Sequence, residues 1–406
     1  MAIHDRSWGR TKMAVRAARD LQEAGYEVEF LVHESTRALL QGGPFRFQTV
    51  RNHIGGLLRL LIDARVSSFK PGGIVYFDFF NTVNLLHRLG IGDSRFLLGY
   101  DCLTASLDTW DSAQTGHLID LPDGSTRSLV LEQAEETLGL YAQIEHRLIP
   151  VPVAACDGRR GKFRCLPDWR TCRWDLEARQ RLGLSPGERL VLFPTSPWQQ
   201  PDRLPADSRG LAGLLPRILH RSLSKLGSRI HLVHVGPSAL ELPQEGCRYH
   251  WLPSCRAEEF DSLLAAADLV VSGNIAATTN VKAMAFKTPL LVLRNSRRLR
   301  RPGDLEEVER LDNGLKGLLK SALPIHPFTV WPLGYQRFLE PILSENAYCE
   351  CFDWIEMLDS QKLEERVEQL LYSPLARQSM WRRQEAYLDS VSRLPSAGEW
   401  MNSYLN

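Results

Sequence analysis

Short apolar runs alternate with amphipathic stretches along almost the whole chain, and this alternation constrains the fold more than any other feature. In the second half, RLVLFPTS (189–196), RIHLVHVG (229–236), RYHWL (248–252), DLVVSG (268–273) and PLLVLRN (289–295) read as strands. Helical periodicity before and between them covers 175–183, 211–226, 257–266 and 278–286. A helix between successive strands is long enough to return the chain to the same edge, so the strands run parallel. Strands covered by helices on both faces are apolar almost throughout, as these are.

The first half repeats the theme. Residues 11–24 set Met13, Ala14, Ala17, Ala18 and Leu21 on one helical face, and Gly25 follows where helices commonly stop. Val28, Phe30 and Val32 then alternate as a strand. Further helices are predicted over 53–69, 81–90 and 132–145, with strands in GIVYFDFF (73–80), at 102–107 and in RLIPVPVAA (147–155). The first strand is clipped at Met1, and a start a few residues upstream is expected.

A basic, aperiodic segment, CDGRRGKFRCLPDWRTCR (156–173), reads as the linker between the two halves. The domains expected are therefore 1–160 and 175–385, both α/β and Rossmann-like. The tail is helical. Trp400 and Tyr404 would leave large apolar surface exposed unless residues 386–406 return to the first domain.

Composition removes several function classes. Lys and Arg total 49 against 48 Asp and Glu, a net charge of +1, so nothing draws the whole chain to nucleic acid or an anionic membrane. No apolar run is long enough to span a bilayer, so stable membrane insertion is not expected and a cytoplasmic location is. The 8 cysteines include no Cys-x-x-Cys pair, and Cys156, Cys165 and Cys172 lack a spaced His pair; reduced thiols and no metal site are expected. There is no Walker A loop, His-Glu-x-x-His, Gly-x-Ser-x-Gly or Gly-x-Gly-x-x-Gly. An Asp-x-Asp metal motif is missing too.

Residues 250–289 carry a resemblance. Trp251-Leu252-Pro253-Ser254 is followed by FDSLLAAADLVVSGNIAATTNVKAMAFKTP, which is similar to the donor-binding segment of GT-B glycosyltransferases. Counted back from Pro289, Asn274 stands where those enzymes have His, Ala276 where they have Gly, Thr279 where they have Ser or Thr, and Lys282 where they have Glu. The loop around Gly9 resembles their acceptor-side loop. The strings DTWDSAQTG, VHVGP, RYHWLP, NIAATT and WPLG suggest a narrower bacterial family of GT-B-like proteins, from which no activity is carried over. The resemblance implies two Rossmann-like domains with mainly parallel sheets facing a cleft. It also implies a nucleotide-sugar donor as co-substrate, a small-molecule acceptor and no further cofactor. Lys282 has no acceptor atom for the ribose hydroxyls that the usual Glu binds, which favours an unusual donor or lost transfer chemistry.

Several residues are candidates for the site. The start of the helix after DLVVSG, with Thr278 and Thr279, would favour an anion, aided by Asn274 and by Lys282 leaning back one turn. Either Thr could instead only cap the helix. His234 and Gly236 end a strand; His234 is a ligand contact or a buried core histidine, and Gly236 permits close approach or serves a turn. Ser196, Trp198 and Gln199 end another strand as contacts, or Trp198 covers a domain edge. For a general base, the candidates are Asp108, Asp111, His4 and Asp5, with Asp78 a competitor; Trp110 could stack on a sugar, or DTWDSAQTG is turn chemistry. The arginines of RNSRRLRRP (294–302) precede GDLEEVE and read as a self-neutralising loop rather than a polymer-binding patch. The expected activity is metal-independent sugar transfer; an epimerase or hydrolase, or a ligand-binding or partner protein without catalysis, are the alternatives. A homodimer is compatible with the sequence, which carries no signal of subunit number.

Overall fold

The apolar runs close into separate parallel sheets, one set in each half of the molecule. The computed structural model of the protein describes residues 8–51, 55–111, 115, 118–120, 125–128, 134–166, 175–204, 206–253, 255–308 and 311–405. They divide between a first unit, drawn from Met1–Leu118, Arg127–Leu166 and Ser390–Asn406, and a second, drawn from Ile119–Thr126 and Pro167–Asp389.

In the first unit, α1 (Trp8–Glu23) forms because Ala14, Ala17, Ala18 and Leu21 recur on one face, and all four are buried. Gly25, at φ +91°, ends it and lets the Tyr26 N–H return to the Leu21 carbonyl at 3.0 Å. β1 (Glu29–His33) and β2 (Arg46–Val50) pair in parallel and precede α2 (Gly55–Phe69). β3 (Gly73–Tyr76), α3 (Phe79–Arg88) and β4 (Leu103–Leu107) follow, then the short β5 (Leu118–Asp120) and β6 (Thr126–Ser128). α4 (Ala134–Ala142), β7 (His146–Val151) and β8 (Lys162–Arg164) complete the set. The main sheet has the order β3-β4-β7-β8, all parallel. Alternation along β3 sends Ile74 and Tyr76 into a core with Leu58 and Ile62 of α2, Val83 and Leu86 of α3, and Leu140 of α4. Ala105, Leu107, Leu148 and Phe163 enter a second core with α1.

The second unit opens with α5 (Leu176–Arg181), β9 (Arg189–Pro194), α6 (Ala206–Lys225), β10 (Ile230–Val235) and β11 (Arg248–Leu252). It continues with α7 (Ala257–Ala266), β12 (Leu269–Ser272), α8 (Thr278–Ala285), β13 (Leu290–Arg294), α9 (Asn313–Ala322), α10 (Gln336–Leu343) and β14 (Asp353–Glu356). α11 (Ser360–Tyr372) and α12 (Pro374–Ser392) follow. The six strands are ordered β11-β10-β9-β12-β13-β14, every ladder parallel. In the unit's own count this is 3-2-1-4-5-6, the Rossmann order. All of β10 and all of β12 are buried, which explains why they are apolar except for His231, His234 and Ser272. Leu211, Leu215, Ile218 and Leu219 of α6 pack with Leu363, Val367 and Leu370 of α11 in the core. Asp268, buried just before β12, is held by Arg179 at 2.7 Å and Arg189 at 3.1 Å and accepts the Leu190 N–H at 2.9 Å.

α13 (Ala397–Leu405) belongs to the first unit. Ala397, Trp400 and Met401 are buried against α1 in the second of that unit's cores. The Ala397 N–H reaches Asp20 Oδ2 at 3.3 Å, and Tyr26 donates its hydroxyl to Asn402 Oδ1 at 2.5 Å. Among the described residues no helix is long and apolar enough to cross a membrane.

Three readings of the sequence need correction. The basic segment 156–173 is not only a linker: it supplies β8, with Phe163 fully buried and Arg164 N–H bonded to the Pro395 carbonyl. Its residues 167–174 lie outside the described residues. α6 starts at Ala206 and takes in the end of the Pro-rich loop, and Gly9 lies within α1 rather than in a loop before it.

Candidate functional site

Strand order in the second unit reverses between β9 and β12, and parallel α/β sheets bind ligands at the carboxyl ends flanking such a reversal. β9 delivers Thr195 and Ser196 there, β10 delivers Gly236, and β12 delivers Gly273 and Asn274. A buried tryptophan links the two flanking loops. The Ser196 N–H donates to Gln199 Oε1 at 2.7 Å, Gln199 Nε2 donates to the Trp331 carbonyl at 2.9 Å, and the Trp331 N–H donates to the Gly273 carbonyl at 2.7 Å. The indole N–H of Trp331 is anchored on the Leu211 carbonyl at 2.8 Å. Val330 bridges Asn274, and the Ile275 N–H meets the Thr329 carbonyl at 3.0 Å. Gln199 is therefore a brace, while Trp198 is half-buried beside it. The WPLG string was visible in the sequence; its place beside β12 was not.

The start of α8 lies just beyond Asn274. Its N-cap is Ala277, which offers no capping oxygen, so Thr278 and Thr279 are both inside the helix and neither caps it. Asn274 turns its Oδ1 to the Ala276 N–H at 2.9 Å, which leaves the amide N–H groups of that side chain as donors. Asn280 braces the turn through Nδ2, at 2.9 Å from the Asn274 carbonyl and 3.1 Å from that of Ile275. Lys282 differs from expectation. Its ammonium is paired with Asp261 on α7, so it is not an unbalanced cation at the helix start.

His234 is fully buried. Its Nε2 lies 2.8 Å from Thr195 Oγ1, and its Nδ1 lies 3.1 Å from the Tyr249 hydroxyl, which accepts the Leu240 N–H at 2.9 Å. Burial pushes the His234 imidazole down to about 4, so it is neutral at ordinary pH. At Gly236 a Cβ would stand 2.2 Å from Thr195 Oγ1 and 2.5 Å from His234 Nε2, so the glycine makes room for these two side chains. Thr195 and Tyr249 were not singled out in the sequence. The only signal was Thr195's place at a strand end beside Ser196.

In the first unit, Asp108 is buried at the carboxyl end of β4, its N–H on the Leu148 carbonyl at 2.8 Å. Asp111 is also buried, but its Oδ2 lies 2.6 Å from Arg159 Nη2 and 3.6 Å from Lys162 Nζ. Lys162 in turn sits 2.8 Å from Asp157 Oδ1 and donates to the Ala155 carbonyl at 2.6 Å. These ion pairs tie Asp111 to the segment 157–162 as a loop anchor. Asp78 caps α3, accepting the Asn81 N–H at 3.1 Å. Trp110 is half-buried next to Asp111; His4 and Asp5 lie outside the described residues. The basic run after β13 is partly neutralised locally, through Arg294–Glu356 at 2.8 Å and Arg301–Asp304 at 3.2 Å. Among the described residues no cluster of three His, Cys, Asp or Glu side chains could hold a metal ion.

No curated protein matches the chain in sequence. Solved structures do match it in fold. HepE from Anabaena, in complex with UDP, has a TM-score of 0.53 at 12% identity over 100% of this chain and 99% of that one. Sucrose-phosphate synthase from Thermosynechococcus elongatus has 0.53 at 13%, over 99% and 93%. A protein assigned as a UDP-N-acetylglucosamine 2-epimerase, from Listeria monocytogenes, has 0.52 at 11%, over 100% and 94%. The fold is the GT-B one, as the resemblance of residues 250–289 implied. The model of a family of unknown function, DUF6365, matches residues 17–406, and the chain belongs to that family.

Proposed function

We propose that the protein is a metal-independent glycosyltransferase that moves a sugar from a nucleotide-activated donor to a small-molecule acceptor. The observation that carries this reading is the set of donors at the β9/β12 reversal. The uncapped start of α8, the Asn274 amide and the Thr278 and Thr279 hydroxyls stand on one side, and Ser196 and Gly236 end the neighbouring strands. Backbone N–H groups at a helix start can stabilise the charge that develops on a departing diphosphate. The UDP held by HepE supports a nucleotide of that class. Lys282, balanced by Asp261, contributes little in this scheme. On the acceptor side, Asp108 is the remaining described candidate for the base.

A second reading, a nucleotide-sugar epimerase or hydrolase, is favoured by Lys282 standing where the ribose-binding Glu of transferases would be and by the likeness to the Listeria protein. A ligand-binding protein without catalysis would keep only the nucleotide site. Calorimetric titration with UDP, dTDP and GDP tests the shared premise. Asn274→Asp keeps the acceptor for the Ala276 N–H but sets a negative charge against the diphosphate. It should weaken binding by about 1–3 kcal/mol, the scale of a charge-assisted hydrogen bond. Failure of every nucleotide to bind removes the proposal. Assay of the matching nucleotide-sugars then separates the readings: product on an added acceptor marks a transferase, and turnover without one marks the second reading.

A further inference from the structure

We infer that Tyr249 and His234 form a fixed donor chain that aims the Thr195 hydroxyl hydrogen at the phosphate of the bound nucleotide. This rests on the nucleotide reading above and adds to it a positioning device that crosses three strands.

The direction of the chain turns on which imidazole nitrogen carries the hydrogen. A neutral imidazole carries one N–H and one lone pair, so it donates through one nitrogen only. Tyr249 accepts the Leu240 N–H, and the imidazole Nδ1 lies 3.1 Å from the same oxygen. The phenol hydrogen has that nitrogen as its acceptor. Burial keeps the phenol protonated, so the hydrogen stays available. With Nδ1 accepting, the imidazole proton sits on Nε2, which lies 2.8 Å from Thr195 Oγ1. The threonine oxygen then accepts, and its own hydrogen is left to donate. The opposite polarity would consume the threonine hydrogen at Nε2 and leave the half-buried phenol to donate instead; a phosphate beside Thr195 selects the first, because it gives the freed threonine hydrogen a charged acceptor.

Geometry puts the threonine at the end of the chain that meets the strand reversal. Thr195 is half-buried at the carboxyl end of β9, next to the strand reversal, with its backbone N–H on the Val235 carbonyl at 2.9 Å. Gly236 gives the hydroxyl its room, since any side chain there would collide with Thr195 Oγ1 and His234 Nε2. His234 has no exposed surface, so it acts through Thr195 and touches no ligand itself. Only the threonine hydroxyl passes the orientation on.

Two measurements on the full chain test this. Nitrogen-15 spectra of histidine-labelled protein at neutral pH, with the His234 signal identified by its loss in His234→Gln, should show the Nε2–H form. An Nδ1–H form overturns the inference. Titration with UDP, dTDP and GDP should then show Thr195→Ser binding within about threefold of wild type and Thr195→Val, which keeps the shape and loses the hydrogen, at least about tenfold weaker, the equivalent of one hydrogen bond. Wild-type affinity in Thr195→Val overturns the donor role and leaves the nucleotide reading standing. If no nucleotide binds the wild type, both fall.

Discussion

His234 shows how one side chain couples the site to stability. In the unfolded chain it takes up a proton near its ordinary value of 6.5, whereas burial holds the folded group at about 4. Between these values the unfolded state binds more protons, so the stability it contributes is present above about pH 6.5 and is lost as pH falls toward 4. A shift of this size corresponds to about 3 kcal/mol in all. His220 and His250 are lowered by burial as well and add in the same direction. Urea denaturation at successive pH values should show this acid-side loss, and His234→Gln should flatten it; an unchanged slope in that variant would refute the assignment. The site residues whose partners the sequence did not reveal share a cause. Asp111 is neutralised by Arg159, 48 positions away, and Lys282 by Asp261, 21 positions away. His234 meets Thr195 across 39. The sequence displays each group's chemistry but not the partner that spends or redirects it.

Elements were easier to read than partners. β11 and α7 have the bounds that periodicity predicts, because Gly246 and Pro253 bracket the first and Arg256 and Asp268 the second. β8 escaped notice because its three residues sit in a basic segment and include Lys162, a lysine buried only because two carboxylates and a carbonyl receive it. A buried charge leaves no apolar signature. α13 is the element whose removal should matter most to the first unit, since Trp400 is buried against α1 while Leu375, on α12, is largely exposed. Trp400→Ala should cost about 3–5 kcal/mol through the cavity it leaves, and Leu375→Ala less than about 0.5 kcal/mol. Chemical denaturation of the two variants checks this. Equal losses would mean that the α1–α13 core is not the one that limits stability.

At the scale of the whole molecule, two α/β units with separate cores predict more than one unfolding transition. Scanning calorimetry should resolve the units. Trp400→Ala lowers the transition of the first, and a bound nucleotide raises that of the second, because a ligand of the native state stabilises only what it binds. A nucleotide that raised the transition lowered by Trp400→Ala would move the binding site out of the second unit. The strand–helix alternation made the fold class legible, since few architectures accept so many parallel strands. Function was less legible: the donor motif of residues 250–289 is altered at the two positions, 274 and 282, that would have named the ligand.

The closure of α1 by α13 also sets a clock. Tyr26 and Asn402 are 376 positions apart, and everything between them must be made before they meet. At ribosomal rates of about 5–20 residues per second, that interval is roughly 20–75 s. Throughout it the first unit's core lacks Ala397, Trp400 and Met401 while the second unit is made. The unit that is synthesised first therefore has its core completed only after the second has been made.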